Sequence, residues 1–181
     1  YTYAGPEIAV ASTKAYLTQL EALCLLALDL GQRRGNADRE KVAAIAGGLR
    51  ELSAKVDSIF KRSEEWIEEF AGRNKGLEDA YFIGRGLDFA TSLEGALKLK
   101  EISYVHAEAY AAGELKHGTL ALVTEGTLVV ALVTQPSLRE KMLSNIQEVK
   151  ARSAKVLALA MEGDAEIGKH VDEVIYIPRT V

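Results

Sequence analysis

The segment Ala80-Tyr81-Phe82-Ile83-Gly84-Arg85-Gly86 joins a β-prone apolar run to a glycine-rich turn, and residues 88–103 continue it with a helical pattern. Strand, turn and helix therefore follow one another. Three later runs have the unbroken apolar character of strands buried on both faces: residues 127–133, 155–160 and 173–177. A helix is predicted between the first two, over residues 137–152. We therefore predict an α/β fold, a three-layer α/β/α sandwich with a mainly parallel sheet.

Helices are predicted ahead of this sheet. Residues 12–31 are rich in leucine and carry few charges, which is typical of a buried helix. Residues 38–60 and 63–70 are amphipathic and charge-rich, and Gly72 and Gly76 are expected to end the helical region.

The composition excludes several classes of protein. With 48% hydrophobic and 27% charged residues among 181, the chain is typical of a globular protein. Its net charge of -4, without a basic cluster, argues against nucleic-acid binding. No apolar run is long enough to span a membrane and no export leader is visible, so we expect a cytoplasmic protein. Cys24 is the single cysteine, is expected to be buried, and excludes an internal disulfide.

Charged residues are spaced regularly along the helix predicted at residues 88–103. Glu94, Lys98 and Glu101 stand at i, i+4 and i+7 and therefore share one face. One interpretation is an exposed, salt-bridged stripe. The other starts from the leucines spread around the same helix, which favour burial of the charges. A shielded carboxylate beside an ammonium can move a proton next to a carbonyl group and stabilise the resulting enediolate.

Two further segments are candidates for chemistry. Residues 107–118 are predicted to connect this helix to a later strand, and they end on His117 followed by Gly118. A histidine there can transfer a proton to or from a sugar hydroxyl at neutral pH, although a merely exposed histidine is the simpler interpretation. The Gly84-Arg85-Gly86 turn can admit an anion to a helix N-terminus, but it lacks the third glycine of a dinucleotide-binding fingerprint.

Residues 4–15, 93–104 and 107–118 together resemble the glutamine–fructose-6-phosphate aminotransferases (isomerizing), also called glucosamine-6-phosphate synthases. The similarity runs nearly end to end within the isomerase region of that family. It implies two sugar-isomerase (SIS) domains: residues 1–36 would be the C-terminal part of a truncated first domain, and residues 37–181 a second domain without its C-terminal tail.

The resemblance also implies a reaction and partners. In that family the isomerase region receives ammonia from a glutaminase domain and converts fructose 6-phosphate to glucosamine 6-phosphate. It implies a homodimer and no metal or organic cofactor. Among the motif positions, Glu101 corresponds to the base that moves the proton, Lys98 to its assistant, and His117 to the ring-opening acid or base, supplied across the dimer interface. Val10 and Ser12 correspond to sugar-contacting positions, and Glu94 to a supporting ion pair.

Some family features do not occur in the sequence. It contains no Ser-Gln-Ser-Gly-type phosphate loop, and it stops before the tail that carries the imine-forming lysine. The glutaminase domain is also absent, and Thr119 stands where a proline is expected. We therefore expect the 181 residues alone to be inactive.

Two alternatives remain open at this point. One is a non-catalytic sugar-phosphate-binding module of the same fold, and the other is a sugar-phosphate deaminase or simple isomerase.

Overall fold

A computed structural model describes residues 1–180. The chain divides into two compact units, residues 1–62 with Thr180 and residues 63–179. Helix α1 (Lys14–Arg33) lies in the first unit. Helix α2 (Arg39–Asn74) begins in the first unit and ends in the second.

The second unit is built on a parallel sheet. Within residues 1–180 the sheet has five strands in the order β2-β1-β3-β4-β5, and every neighbouring pair is parallel. The strands are β1 (Asp79–Gly84), β2 (His106–Ala111), β3 (Leu128–Val133), β4 (Lys155–Met161) and β5 (Glu173–Ile177). Helix α3 (Leu87–Ser103) connects β1 to β2, and helix α4 (Arg139–Lys150) connects β3 to β4.

The sheet buries apolar side chains on both faces, because successive strand residues point to opposite sides. The α3-side cluster contains Ala80, Ala96, Ala107, Leu128, Val130, Leu132 and Leu157. The α4-side cluster includes Tyr81, Ile83, Leu115, Val129, Ala131, Ile146 and Val149. These two layers around one parallel sheet confirm the predicted α/β/α sandwich.

The turn between β1 and α3 is held by hydrogen bonds within the chain. Asp88 accepts hydrogen bonds from the backbone N–H and the hydroxyl of Thr134. The Arg85 Nε donates to Asn145 Oδ1 at 2.9 Å, and Gln135 Nε2 donates to the Arg85 carbonyl at 2.6 Å. The turn considered for anion binding is thus held by hydrogen bonds between Arg85 and neighbouring parts of the fold.

Strand β2 corrects the prediction that residues 107–118 only connect a helix to a later strand. Its sequence is His-Ala-Glu-Ala-Tyr-Ala, and alanine and glutamate are depleted in strands, so the local signal was weak. The strand forms because it pairs in parallel with β1 along its whole length, from Asp79 opposite His106 to Gly84 opposite Ala111.

Helix α2 is longer than predicted, because one helix replaces the two expected at residues 38–60 and 63–70. It continues through Gly72 to Asn74. Gly72 is exposed, and a Cβ placed there would meet no atom within 4 Å. A glycine in an exposed helix costs only about 1 kcal/mol, which the neighbouring residues offset. Trp66 and Phe70 stack and pack against the α3-side cluster, which anchors this part of the helix.

Helix α1 is exposed, which corrects the prediction of a buried helix. None of its residues is buried, and Leu23 is 60% exposed. Cys24 is also exposed, contrary to the buried thiol that was expected. The leucine-rich pattern indicates a preference for burial, but a helix is buried only where another surface covers it.

Gly84 provides a test of the β1–α3 turn. A Cβ at this position would lie 2.5–2.7 Å from backbone atoms of Asp88 and Phe89, so Gly84→Ala must displace the start of α3. We expect it to lower the free energy of unfolding by about 2–3 kcal/mol. Gly72→Ala is the matched control and should raise that free energy by about 0.5–1 kcal/mol. Urea unfolding followed by fluorescence of Trp66, the single tryptophan, measures both. Equal stability of the two variants would contradict the close approach.

Asp164 provides a second test, on the loop after β4. Its carboxylate pairs with Arg139 at 2.6 and 2.7 Å and accepts the Ile167 N–H. The Arg139 hydrogen bond, opposed by burial, holds the pKa of Asp164 below its ordinary value. The stabilisation is therefore present above the pKa of the unfolded carboxyl group and is lost as the pH falls through the folded value.

We expect Asp164→Asn to lower the free energy of unfolding by about 2 kcal/mol at pH 7. The difference from wild type should shrink below about pH 4. Glu166→Gln is the control and should change stability little, because the Glu166–Lys169 pair is 60% and 67% exposed. A loss that stayed constant down to pH 2 would contradict this account.

Candidate functional site

Helix α3 presents a cluster of three charged side chains on one side. Ser92 and Ala96 are buried on the side that faces the sheet. Glu94, Lys98 and Glu101 lie on the opposite side of the helix. The Lys98 Nζ is 2.6 Å from Glu101 Oε2 and 3.5 Å from Glu94 Oε1. The predicted arrangement of one ammonium between two carboxylates is therefore present.

The environment of this cluster lies between the two interpretations. The side chains of Lys98, Glu94 and Glu101 are 22%, 24% and 33% exposed. Lys98 and Glu94 are thus partly shielded, whereas Glu101 is an exposed residue. Leu93 and Leu97, expected to be covered, are 49% and 43% exposed. These leucines lie on the same helix as the charged side chains, but both remain partly exposed to solvent.

The carboxylates keep Lys98 protonated. The hydrogen bond to Glu101 is the main reason that the pKa of Lys98 lies above its ordinary value, and the charges of Glu101 and Glu94 add to it against the opposing effect of burial. Lys98 is therefore an ammonium at neutral pH. It can donate a proton or stabilise a developing negative charge, and it cannot act as a base there.

His117 lies away from this cluster. It ends the 3₁₀ segment Ala112–His117, which follows the carboxyl end of β2, and it is exposed. Leu115 of the same segment belongs to the α4-side cluster, whereas α3 covers the other face of the sheet. Glu101 precedes the amino end of β2, so the strand's length of about 20 Å also separates the two residues. A single chain therefore does not bring His117 to Glu101.

Val10 and Ser12 belong to the first unit. They precede α1, and Val10 is fully exposed. Thr13 is the capping residue but makes no side-chain hydrogen bond to the helix. Instead, Glu7 Oε1 accepts the Ala15 N–H at 2.9 Å and the Lys14 ammonium donates to the Pro6 carbonyl at 2.5 Å. Nothing in the sequence indicated that Glu7 would accept a hydrogen bond from the first turn of α1.

A cavity of about 340 Å³ opens elsewhere, at the amino ends of β3, β4 and β5. Phe70, Leu157, Lys155 and Glu173 are among the residues that line it, and none of the predicted site residues does. In residues 1–180 no group of three His, Cys, Asp or Glu side chains is placed to hold a metal ion. Over the same residues, no helix has the length and apolar character needed to cross a membrane.

Comparison with known proteins identifies the family. The SIS domain model matches residues 78–180, which is more than half of the chain. The chain belongs to the SIS domain family. The match covers the sheet from β1 to β5 together with α3, so the charged cluster lies inside the SIS domain.

Two curated relatives match the chain over all or nearly all of its length. It is 57% identical over 181 residues to the glutamine–fructose-6-phosphate aminotransferase (isomerizing) of Caldanaerobacter subterraneus, and 57% identical over 180 residues to that of Symbiobacterium thermophilum. It spans 30% and 29% of the length of these relatives. The C-terminal domain of glucosamine-fructose-6-phosphate aminotransferase from Francisella tularensis superposes with a TM-score of 0.90 at 38% identity, over 98% of this chain and 50% of that one.

The ion pairs of Lys98 allow a direct test of the cluster. Because the Glu101 hydrogen bond contributes most, Glu101→Gln should lower the pKa of Lys98 toward its ordinary value. Glu94→Gln is the matched control and should lower it less, because its contact is longer. NMR titration of the Lys98 side chain measures both changes. A larger effect of Glu94→Gln would show that the ammonium prefers the other carboxylate.

Proposed function

We propose that this chain is part of the isomerase region of an enzyme that makes glucosamine 6-phosphate from fructose 6-phosphate and glutamine-derived ammonia. One observation carries the proposal: Lys98 lies between Glu94 and Glu101 on the outer side of α3, at 2.6 Å from Glu101. The identity of 57% to glutamine–fructose-6-phosphate aminotransferases supports the choice of reaction.

Glu101 acts as the base in this proposal. Ammonia first condenses with the carbonyl carbon of the open-chain sugar and water leaves, which gives an imine. Glu101 then removes a proton from the neighbouring, hydroxyl-bearing carbon and returns it to the former carbonyl carbon. The electrons left behind form an enolamine-type intermediate in which the nitrogen shares the negative charge. The Lys98 ammonium stabilises that charge and assists the proton transfer, since its pKa is raised and it stays protonated. Glu94 supports Lys98 as the second, longer ion pair.

His117 opens the sugar ring in the site of a second copy of the chain. Its position beyond the carboxyl end of β2, on the α4 side of the sheet, supports its assignment to the site of a second chain. Glu101 lies near the amino end of the same strand, on the α3 side. A homodimer can therefore complete two sites by exchanging histidines, whereas one chain alone leaves its site incomplete.

The remaining parts of the proposal concern the parent protein. Residues 1–36 end a first SIS domain and residues 37–181 belong to a second, with the boundary between α1 and α2. Val10 and Ser12 contact the sugar, and a glutaminase domain supplies the ammonia. The reaction uses no metal or organic cofactor and takes place in the cytoplasm. The relatives that support this function are longer proteins, and this chain spans 30% of the length of one of them.

Glu101→Gln in the full-length parent tests the proposed base. We expect the rate of glucosamine 6-phosphate formation to fall by at least about 100-fold, because the amide cannot accept the proton. Binding of fructose 6-phosphate, measured by calorimetry, should be retained. Lys100→Gln is the control on the exposed part of the same helix and should keep wild-type turnover.

Three outcomes would contradict the proposal in different ways. Unchanged turnover of Glu101→Gln would exclude Glu101 as the base. Sugar-phosphate binding by the parent without any product would favour a non-catalytic binding module. Product formation that releases no glutamate from glutamine would favour a deaminase or simple isomerase.

A further inference from the structure

The cavity of about 340 Å³ at the amino ends of β3, β4 and β5 has an apolar floor, formed by Phe70, Leu128 and Leu157. Leu128 and Leu157 are 5% and 6% exposed and belong to the α3-side cluster. Phe70 packs against the same cluster from the carboxyl-terminal part of α2. Proteins bind small molecules in cavities of about 300–1,000 Å³. The apolar floor therefore offers a contact surface to a ligand of that size.

Ion pairs hold the charged walls of this cavity. The Arg73 Nη2 donates to Glu173 Oε2 at 2.7 Å and so connects α2 to β5. The Lys150 Nζ donates to both carboxylate oxygens of Asp172 at 2.7 Å. The Asp172 Oδ2 also accepts the Val156 N–H at 2.7 Å. Each carboxylate that lines the cavity thus has a cationic partner, and the two pairs together carry no net charge.

Lys155 gives the cavity one positive charge without a counterion. It also lines the cavity, and because it precedes Leu157 by two residues on β4, both side chains lie on the same face of the sheet. Lys155 is exposed, and within residues 1–180 its ammonium forms no ion pair. A lysine ammonium on its flexible stem can therefore turn toward an anion without breaking an existing contact.

We propose that this cavity binds a small organic anion whose apolar or aromatic body lies on the apolar floor and whose carboxylate or phosphate group contacts the Lys155 ammonium. Burial of the body on the floor removes apolar surface from water, and the charge-assisted contact orients the anionic group. A cationic ligand would meet only carboxylates that are already paired. A neutral ligand would make no use of the charge on Lys155.

Methyl NMR of the 181-residue chain locates the ligand. Titration with benzoate should shift the methyl signals of Leu128 and Leu157 with a Kd of about 1 mM, as expected for so small a ligand. Phenyl phosphate should shift the same signals, and the tighter of the two compounds identifies the preferred anionic group. Acetate carries the charge without the apolar body and should shift neither signal. The methyl signals of Leu23, which is 60% exposed on α1, should stay in place throughout.

Lys155→Gln tests the recognition of charge. Wild type should bind benzamide, the neutral analogue of benzoate, about fivefold more weakly than benzoate, which is the size of effect that an exposed ammonium can have. Lys155→Gln should weaken benzoate binding about fivefold and leave benzamide binding unchanged, so that the preference disappears. Lys169→Gln is the matched control: it removes the same charge from an exposed side chain outside the cavity and should keep the wild-type affinities.

Three results would overturn the proposal. The first is the absence of Leu128 and Leu157 shifts at about 20 mM benzoate. The second is equal affinity of the wild type for benzoate and benzamide, and the third is unchanged benzoate binding by Lys155→Gln. Glu101 does not line the cavity, so Glu101→Gln should bind benzoate like the wild type. The proposed function and this inference can therefore fail independently of each other.

Discussion

Parallel pairing of β1 with β2 determines where the candidate site residues Glu101 and His117 lie. A parallel pair needs a crossover, and α3 provides it by running back from the carboxyl end of β1 to the amino end of β2. The register from Asp79 opposite His106 to Gly84 opposite Ala111 fixes both ends of that helix. Glu101 therefore lies at one end of β2, and the segment that carries His117 at the other.

The same separation places the charged cluster and His117 on different sides of the sheet within one chain. The cluster lies on the outer side of α3, which covers one face of the sheet, while the 3₁₀ segment before Gly118 packs Leu115 into the other face. Side chains of one strand alternate between these faces, so a small shift of the backbone does not bring the two groups together. In the proposed function, a site built from both therefore needs a second copy of the chain.

The charge state of the cluster is consistent with its partly exposed position. Full burial would make three charges costly, and full exposure would let water screen the Lys98–Glu101 pair. At 22% and 33% exposure the two side chains keep a 2.6 Å contact, and the raised pKa of Lys98 keeps it cationic. An ammonium held in this way can stabilise negative charge without prior rearrangement.

Sequence alone determined the features that depend on local pattern. Unbroken apolar runs predicted β3, β4 and β5, and the helical spacing of Glu94, Lys98 and Glu101 predicted their shared face, because periods of two and 3.6 residues are local properties. Tertiary structure decided the rest. Alanine-rich β2 becomes a strand only through its pairing with β1, and the exposure of α1 depends on which surfaces cover it. The distance between Glu101 and His117 is set by the sheet, since residues close in sequence are placed at opposite ends and on opposite faces by the strand between them.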